Sequence, residues 1–308
     1  MPTKKIQRLK KGRLAAAAAI FVAVLVIVIA AASKKNNDKK TPAKEKTSAT
    51  SLAEQTDVQT SSEEEQTPKK ADINELKQMV SEMLETQGGD WSVYFKKLDT
   101  GESFLINDRT FYPASTIKLF AMAAAYQQIY DGIYSEETLY PDISAMASES
   151  NNVSFNNLVW DMGNGYITKW CAEHGLNDTY QYTGLYPADN ADGLEDPEDR
   201  ENQTSAKDIG KLLEDIYNGE CVSKLYSARM MCLLLDQEYR DKIPAGIPQN
   251  VAVANKTGET YDVSHDSAIV CAPSGDYILV IMCDYPDNGF ETFDFFTMLS
   301  QAVYEYLN

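Results

Sequence analysis

The chain has 308 residues and a formal net charge of −18, length enough for one large domain or two small ones. The charge is unevenly spread: residues 1–71 carry 14 Lys and Arg against 7 Asp and Glu, a net of +7, and residues 72–308 carry 14 against 39, a net of −25. A region that acidic excludes nucleic acid as a partner, because phosphate binding needs a positive surface.

Residues 1–13 form a basic segment holding Lys4, Lys5, Arg8, Lys10, Lys11 and Arg13. It precedes LAAAAAIFVAVLVIVIAAA, residues 14–32, 19 apolar residues without a charge or a proline. That length suits a membrane-spanning helix, and the basic flank predicts a cytoplasmic N-terminus. The expectation is a single-pass signal-anchor in the cell membrane with the rest of the chain outside the cytoplasm. Cleavage near Ala30-Ala31-Ala32-Ser33 is the other reading and gives a secreted protein. Residues 33–71 are rich in Lys, Ser, Thr, Glu and Gln and bury too little apolar surface to order themselves, so they read as a disordered linker. Fully extended, such a tether reaches over ~100 Å.

The remaining residues, 72–308, read as one domain. INELKQMVSEMLET, residues 73–86, has helical spacing and runs into Gly88-Gly89. WSVYFKKL and ESFLIND, joined by Asp99-Thr100-Gly101, predict a hairpin. An Ala-rich apolar helix is expected from about Ser115 to Tyr130, as a buried central helix. Further helices are expected near 154–161, 166–174, 205–217 and 222–236, and a last one over 291–307. VAVANKTGE, SHDSAIVCA and DYILVIMCDY predict three strands. Strands at both ends with helices between them imply an α+β fold whose sheet is antiparallel, the N-terminal hairpin lying beside the C-terminal strands. Residues 178–204 are a long polar loop, a length usually tied to function.

Five cysteines (Cys171, Cys221, Cys232, Cys271, Cys283) and two histidines (His174, His265) lack the spacing of a zinc site, and no cofactor is implied. The cysteines read as small buried apolar residues, with one disulfide left open.

Three short strings carry the chemistry: Ser115-Thr116-Ile117-Lys118, Ser150-Asn151-Asn152 and Lys256-Thr257-Gly258. Each alone is common, and each has a plain structural reading as a helix cap, a loop or a strand end. Together, in this order, they describe a serine acyl-transfer site. Ser115 and Lys118 share a helix face one turn apart. A serine hydroxyl needs a base, and lysine serves when burial and a second cation, here Lys256, lower its pKa. Ser150 can pass a proton between a lysine and a leaving nitrogen. Asn152 can hold a substrate amide, and Lys256 with Thr257 a substrate carboxylate. Gly258 permits close approach at a strand edge able to take an extended substrate. The backbone N–H groups of Ser115 and Glu259 can form an oxyanion hole.

Over most of residues 75–308 the chain resembles the class A β-lactamase family of penicillin-recognising serine hydrolases. The resemblance rests on FYPASTIKLFAMAAA, LLLDQEYRDKIPAGIP, VANKTGE and SHDSAIV. It implies a five-stranded antiparallel sheet flanked by helices with a helical subdomain, and a β-lactam-opening hydrolase that forms an acyl-enzyme on Ser115. A D,D-peptidase or acylation-only penicillin-binding protein acting on peptidoglycan peptides, or a non-catalytic wall-binding receptor, are the alternatives. A monomer is expected. The resemblance is incomplete in three places. Asn151 stands where the family has Asp. The family's loop glutamate, with its Leu-Asn pair, has no counterpart in TYQYTGLYPADNADGLEDPEDREN, where Asp189 and Asp192 are the nearest acids by spacing. Where an arginine often meets the substrate carboxylate, this chain offers His265.

Overall fold

Tyr277, Leu279, Ile281 and Cys283 alternate with Ile278, Val280 and Met282 along one strand, and all seven are buried. The first set packs into one apolar cluster and the second into another. A strand apolar on both faces must be covered on both, and this strand lies at the centre of the sheet. The computed structural model describes residues 71–286 and 291–308, and side chains at 291 and 292 are not described. The expected basic segment, membrane anchor and most of the linker lie outside the described residues. Among the described residues no helix is long and apolar enough to cross a membrane.

The chain begins with α1 (Ile73–Leu84), then β1 (Asp90–Lys97), β2 (Ser103–Ile106) and the two-residue β3 (Thr110–Phe111). A 3-10 turn, Ala114–Ile117, leads into α2 (Lys118–Tyr130). Helices α3 (Glu136–Ser148), α4 (Asn152–Met162) and α5 (Tyr166–Glu173) follow. After the long loop come β4 (Thr204–Ser205), α6 (Ala206–Asn218) and α7 (Lys224–Leu235). The 3-10 turn Ile243–Gly246 precedes β5 (Ala252–Glu259), β6 (Val263–Cys271), β7 (Tyr277–Asp284) and the closing helix α8 (Glu291–Leu307).

The five-stranded sheet has the order β2-β1-β7-β6-β5, every pair antiparallel. The N-terminal hairpin therefore joins the C-terminal strands, as the element order predicts. Two helices, α1 and α8, supply Leu76, Val80, Phe295, Phe296, Leu299 and Val303 to the cluster on one face. Helix α2 carries the other cluster, where Leu119 through Tyr126 are all buried.

Helix α3 is absent from the sequence reading. Pro141 lies inside it, which removes a backbone donor and argues against a helix. Ser135 caps its start by accepting from the Thr138 amide, and Glu136 and Glu137 oppose the positive end of the dipole. The helix expected from Ser115 opens instead as a 3-10 turn. Among the described residues no disulfide joins any of the five cysteines, and Cys171, Cys221 and Cys283 are buried.

Candidate active site

Ser115 sits in the 3-10 turn because the chain turns sharply just before it. Ala114 has φ +44°, a left-handed conformation rare for a residue with a Cβ. The Thr116 amide and hydroxyl both bond the Pro113 carbonyl, at 3.0 and 2.7 Å. This turn packs on the end of β5. A Cβ placed on Gly258 would lie 2.7 Å from the Pro113 oxygen and 3.0 Å from the Thr116 nitrogen. Glycine is thus required there by the chain's own backbone, ahead of any ligand, and it brings the strand edge against the serine turn.

Lys118, the first residue of α2, is 1% exposed. Its ammonium nitrogen reaches Ser115 Oγ at 2.8 Å, the Ser150 carbonyl at 2.6 Å, Ser150 Oγ at 3.3 Å and Asn152 Oδ1 at 2.7 Å. Burial lowers its pKa to about 7, within reach of neutrality under physiological conditions. Ser150 turns its carbonyl and hydroxyl to this lysine from a left-handed backbone, φ +57°. Strain of that kind costs ~1–3 kcal/mol and concentrates at functional sites.

Lys256 comes from β5 and is also 1% exposed. It donates to Ser150 Oγ at 2.8 Å and to the Thr257 carbonyl at 3.0 Å. Burial, then the charge of Lys118, pushes its pKa well below the usual lysine range. Five predicted residues thus converge: Ser115, Lys118, Ser150, Asn152 and Lys256. Thr257, Gly258 and Glu259 complete the adjacent strand end.

Asn151 does not enter the cluster. Its side chain caps α4 by accepting from the Ser154 amide at 3.0 Å, a task Asn and Asp perform equally. His265 is a correction. It is buried, its Nε2 lies 2.8 Å from the Tyr112 carbonyl, and its Nδ1 accepts from the Cys283 amide at 3.2 Å. Both ring nitrogens are engaged by backbone, and burial lowers the pKa to about 3, so the ring is neutral. It therefore offers no charge to a substrate carboxylate.

The cation that reaches this strand end is Lys242, which the sequence reading missed. It lies just before the second 3-10 turn, is 1% exposed, and pairs with Glu259 Oε2. It also donates to the His265 carbonyl at 3.2 Å and sits over the rings of Phe293 and Phe296. No local pattern marks it, because its carboxylate partner comes from a different element.

The long loop meets the cluster through backbone. Asn152 Nδ2 donates to the Tyr186 carbonyl at 3.1 Å and lies 3.5 Å from the Pro187 carbonyl. The Tyr186–Pro187 peptide bond is cis. Asp189 and Asp192 are exposed. Glu195 accepts from Tyr186 Oη and the Gly193 amide, and Asp196 is tied to Arg200. Among the described residues no carboxylate hydrogen-bonds to Ser115, Lys118, Ser150 or Asn152.

The model of the beta-lactamase enzyme family matches residues 74–142 and 138–307. The chain belongs to that family. Solved structures share its fold. A mutant of PBP-A in an acyl-enzyme complex with penicillin G is 22% identical with a TM-score of 0.65, over 76% of this chain and 96% of that one. The beta-lactamase from Sphaerobacter thermophilus is 19% identical with a TM-score of 0.64, over 75% and 98%. That from Chitinophaga pinensis is 17% identical with a TM-score of 0.65, over 76% and 100%. Comparison with curated proteins finds no match. The α+β architecture with its antiparallel five-stranded sheet is the one these enzymes have, as the sequence resemblance implied.

Proposed function

We propose that the chain is a class A-like serine acyl-transfer enzyme that opens β-lactam rings, or a peptide bond of peptidoglycan peptides, through an ester on Ser115. The observation that carries this is the bond from buried Lys118 to Ser115 Oγ. Neutral Lys118 takes the hydroxyl proton as Ser115 Oγ attacks the carbonyl carbon. The N–H groups of Ser115 and Glu259 receive the oxyanion. The carbon–nitrogen bond then breaks, and Ser150, held by Lys256, passes a proton from Lys118 to the departing nitrogen. Water finally hydrolyses the ester.

That last step favours the penicillin-binding reading over rapid β-lactamase turnover. The loop presents the Tyr186 and Pro187 carbonyls to Asn152, and carbonyls cannot take a proton from water as a carboxylate does. The acyl-enzyme should therefore persist. We further propose that residues 14–32 anchor the domain outside the cytoplasm, placing Ser115 among wall peptides or periplasmic β-lactams.

The test is to incubate the full-length chain with a chromogenic cephalosporin and follow colour and intact mass together. One equivalent of colour with a stable adduct, both lost in Ser115→Ala, is the expected result. Sustained turnover would establish the β-lactamase reading instead. No adduct with any β-lactam or acyl-D-Ala-D-Ala peptide would overturn serine catalysis and leave a binding role.

A further inference from the structure

The end of β5 carries an anion of its own. Along a strand, residues two apart share a face, so Thr257 and Glu259 present their side chains to the same side. The Glu259 carboxylate is held there by two groups. Lys242 donates its ammonium to Oε2, and Ser264 Oγ donates to the same oxygen at 3.0 Å. Ser264 is the register partner of Glu259 across the β5–β6 ladder. Lys242 is fixed in turn by the His265 carbonyl and by the rings of Phe293 and Phe296. The Lys242 side chain is 1% exposed while the Glu259 side chain is 42% exposed. A group arriving along the strand edge therefore meets the carboxylate before it meets the cation.

Resting on the acyl-transfer reading above, we infer that Glu259 is a specificity-determining residue that takes the place of a substrate carboxylate on Lys242. The substrates it favours have a neutral group on the leaving side of the scissile bond: an ester, an amide or a peptide that continues. An anionic group bound beside Thr257 would stand one strand repeat, ~7 Å, from the Glu259 carboxylate. Two like charges at that distance and partial exposure discriminate by roughly tenfold or more in rate. Lys242, the cation paired with Glu259, lies buried behind that carboxylate, and burial shifts Lys118 and Lys256 toward the neutral amine, which weakens their offset. The acidic character of residues 72–308 acts in the same direction.

The experiment compares benzylpenicillin with its methyl ester as acylating agents of the full-length chain, each rate read by intact mass. Intrinsic ring reactivity and the folded fraction cancel when the acid-to-ester rate ratio is compared between proteins. Glu259→Gln should raise that ratio about tenfold relative to the wild type, and an unchanged ratio overturns the inference. Salt supplies a second measurement without a variant. In the wild type, raising ionic strength should increase the ratio by screening the repulsion, and a flat or falling ratio overturns the inference. If neither compound labels Ser115 in the wild type, the acyl-transfer reading fails and this inference fails with it. Labelling by both with an unmoved ratio removes the role of Glu259 alone.

Discussion

Lys118 and Lys256 hold the same hydroxyl, with Ser150 Oγ 3.3 Å from the first ammonium nitrogen and 2.8 Å from the second. Burial disfavours the charged form of both, and the charge of Lys118 lowers the pKa of Lys256 further. Lys118 is then free to act as a base toward Ser115, 2.8 Å away.

The acylation rate should follow the neutral form of Lys118. It should climb as pH rises through about 7, where burial has brought that pKa, and level off above. Lys118→Ala should lower it by ~10²–10⁴-fold, the usual worth of a positioned base. Stopped-flow measurement of β-lactam acylation against pH checks both. A rate flat from pH 5 to 9 would remove Lys118 from the base role.

The same shift makes folding depend on pH. A lysine whose folded pKa is lowered costs stability in full below that pKa, because the unfolded chain keeps its proton more readily. The penalty is relieved as pH rises from about 7 toward the ordinary lysine value of 10.5. Urea unfolding at pH 6.5 and pH 8.5 should therefore show the wild type gaining stability over this interval, on the order of 1–2 kcal/mol. Lys118→Met should show a smaller gain, since the apolar side chain neither binds nor loses a proton.

Gly258→Ala should separate packing from chemistry. Its new Cβ would press on the Pro113 oxygen at 2.7 Å and the Thr116 nitrogen at 3.0 Å. Both are backbone atoms of the Ser115 turn and cannot rotate away. The turn must move, and overpacking of this kind costs ~1–3 kcal/mol. A displacement of ~1 Å at the nucleophile can cost ~10²-fold in rate. Thermal melting and acylation kinetics on one preparation should show the rate falling much further than the stability explains.

The sheet and most helices were legible in the sequence because their signals are local. The alternation in DYILVIMCDY and the Ala-rich run after Lys118 each fix an element without reference to the rest. The trio of motifs was legible for the same reason, and five of its residues do meet. Helix α3 was hidden by Pro141, which speaks against a helix locally while Ser135 and the apolar Leu139, Ile143 and Met146 outweigh it. His265 misled because its residue type suggests a cation, and only burial between two backbone partners keeps it neutral. Lys242 and the loop contacts of Asn152 depend on partners 17 and 34 residues away in sequence. No periodicity carries such pairings.

Asn156 should control whether the long loop stays on the site. It is fully buried on α4, accepts from the Leu185 amide at 2.8 Å and donates to the Leu185 carbonyl at 3.0 Å. One side chain thus satisfies both backbone groups of a buried residue, immediately before Tyr186 meets Asn152. Asn190 reinforces the clamp from the loop side, donating to Asn157 Oδ1 at 2.8 Å and to the Val153 carbonyl at 3.0 Å. Asn156→Ala removes the partner and leaves the Leu185 groups to find water or remain unpaired, a cost of ~1–3 kcal/mol for each group left buried. The loop can escape most of that cost by lifting off. The expected outcome is a modest fall in melting temperature, but a large rise in limited proteolysis within residues 178–204. Acylation should slow as Asn152 loses the carbonyl that orients its amide, while the Lys118 pH midpoint stays put. A variant with wild-type proteolysis at the loop would show that the apolar anchors Leu185, Ala191 and Leu194, all buried, hold it without the amide clamp.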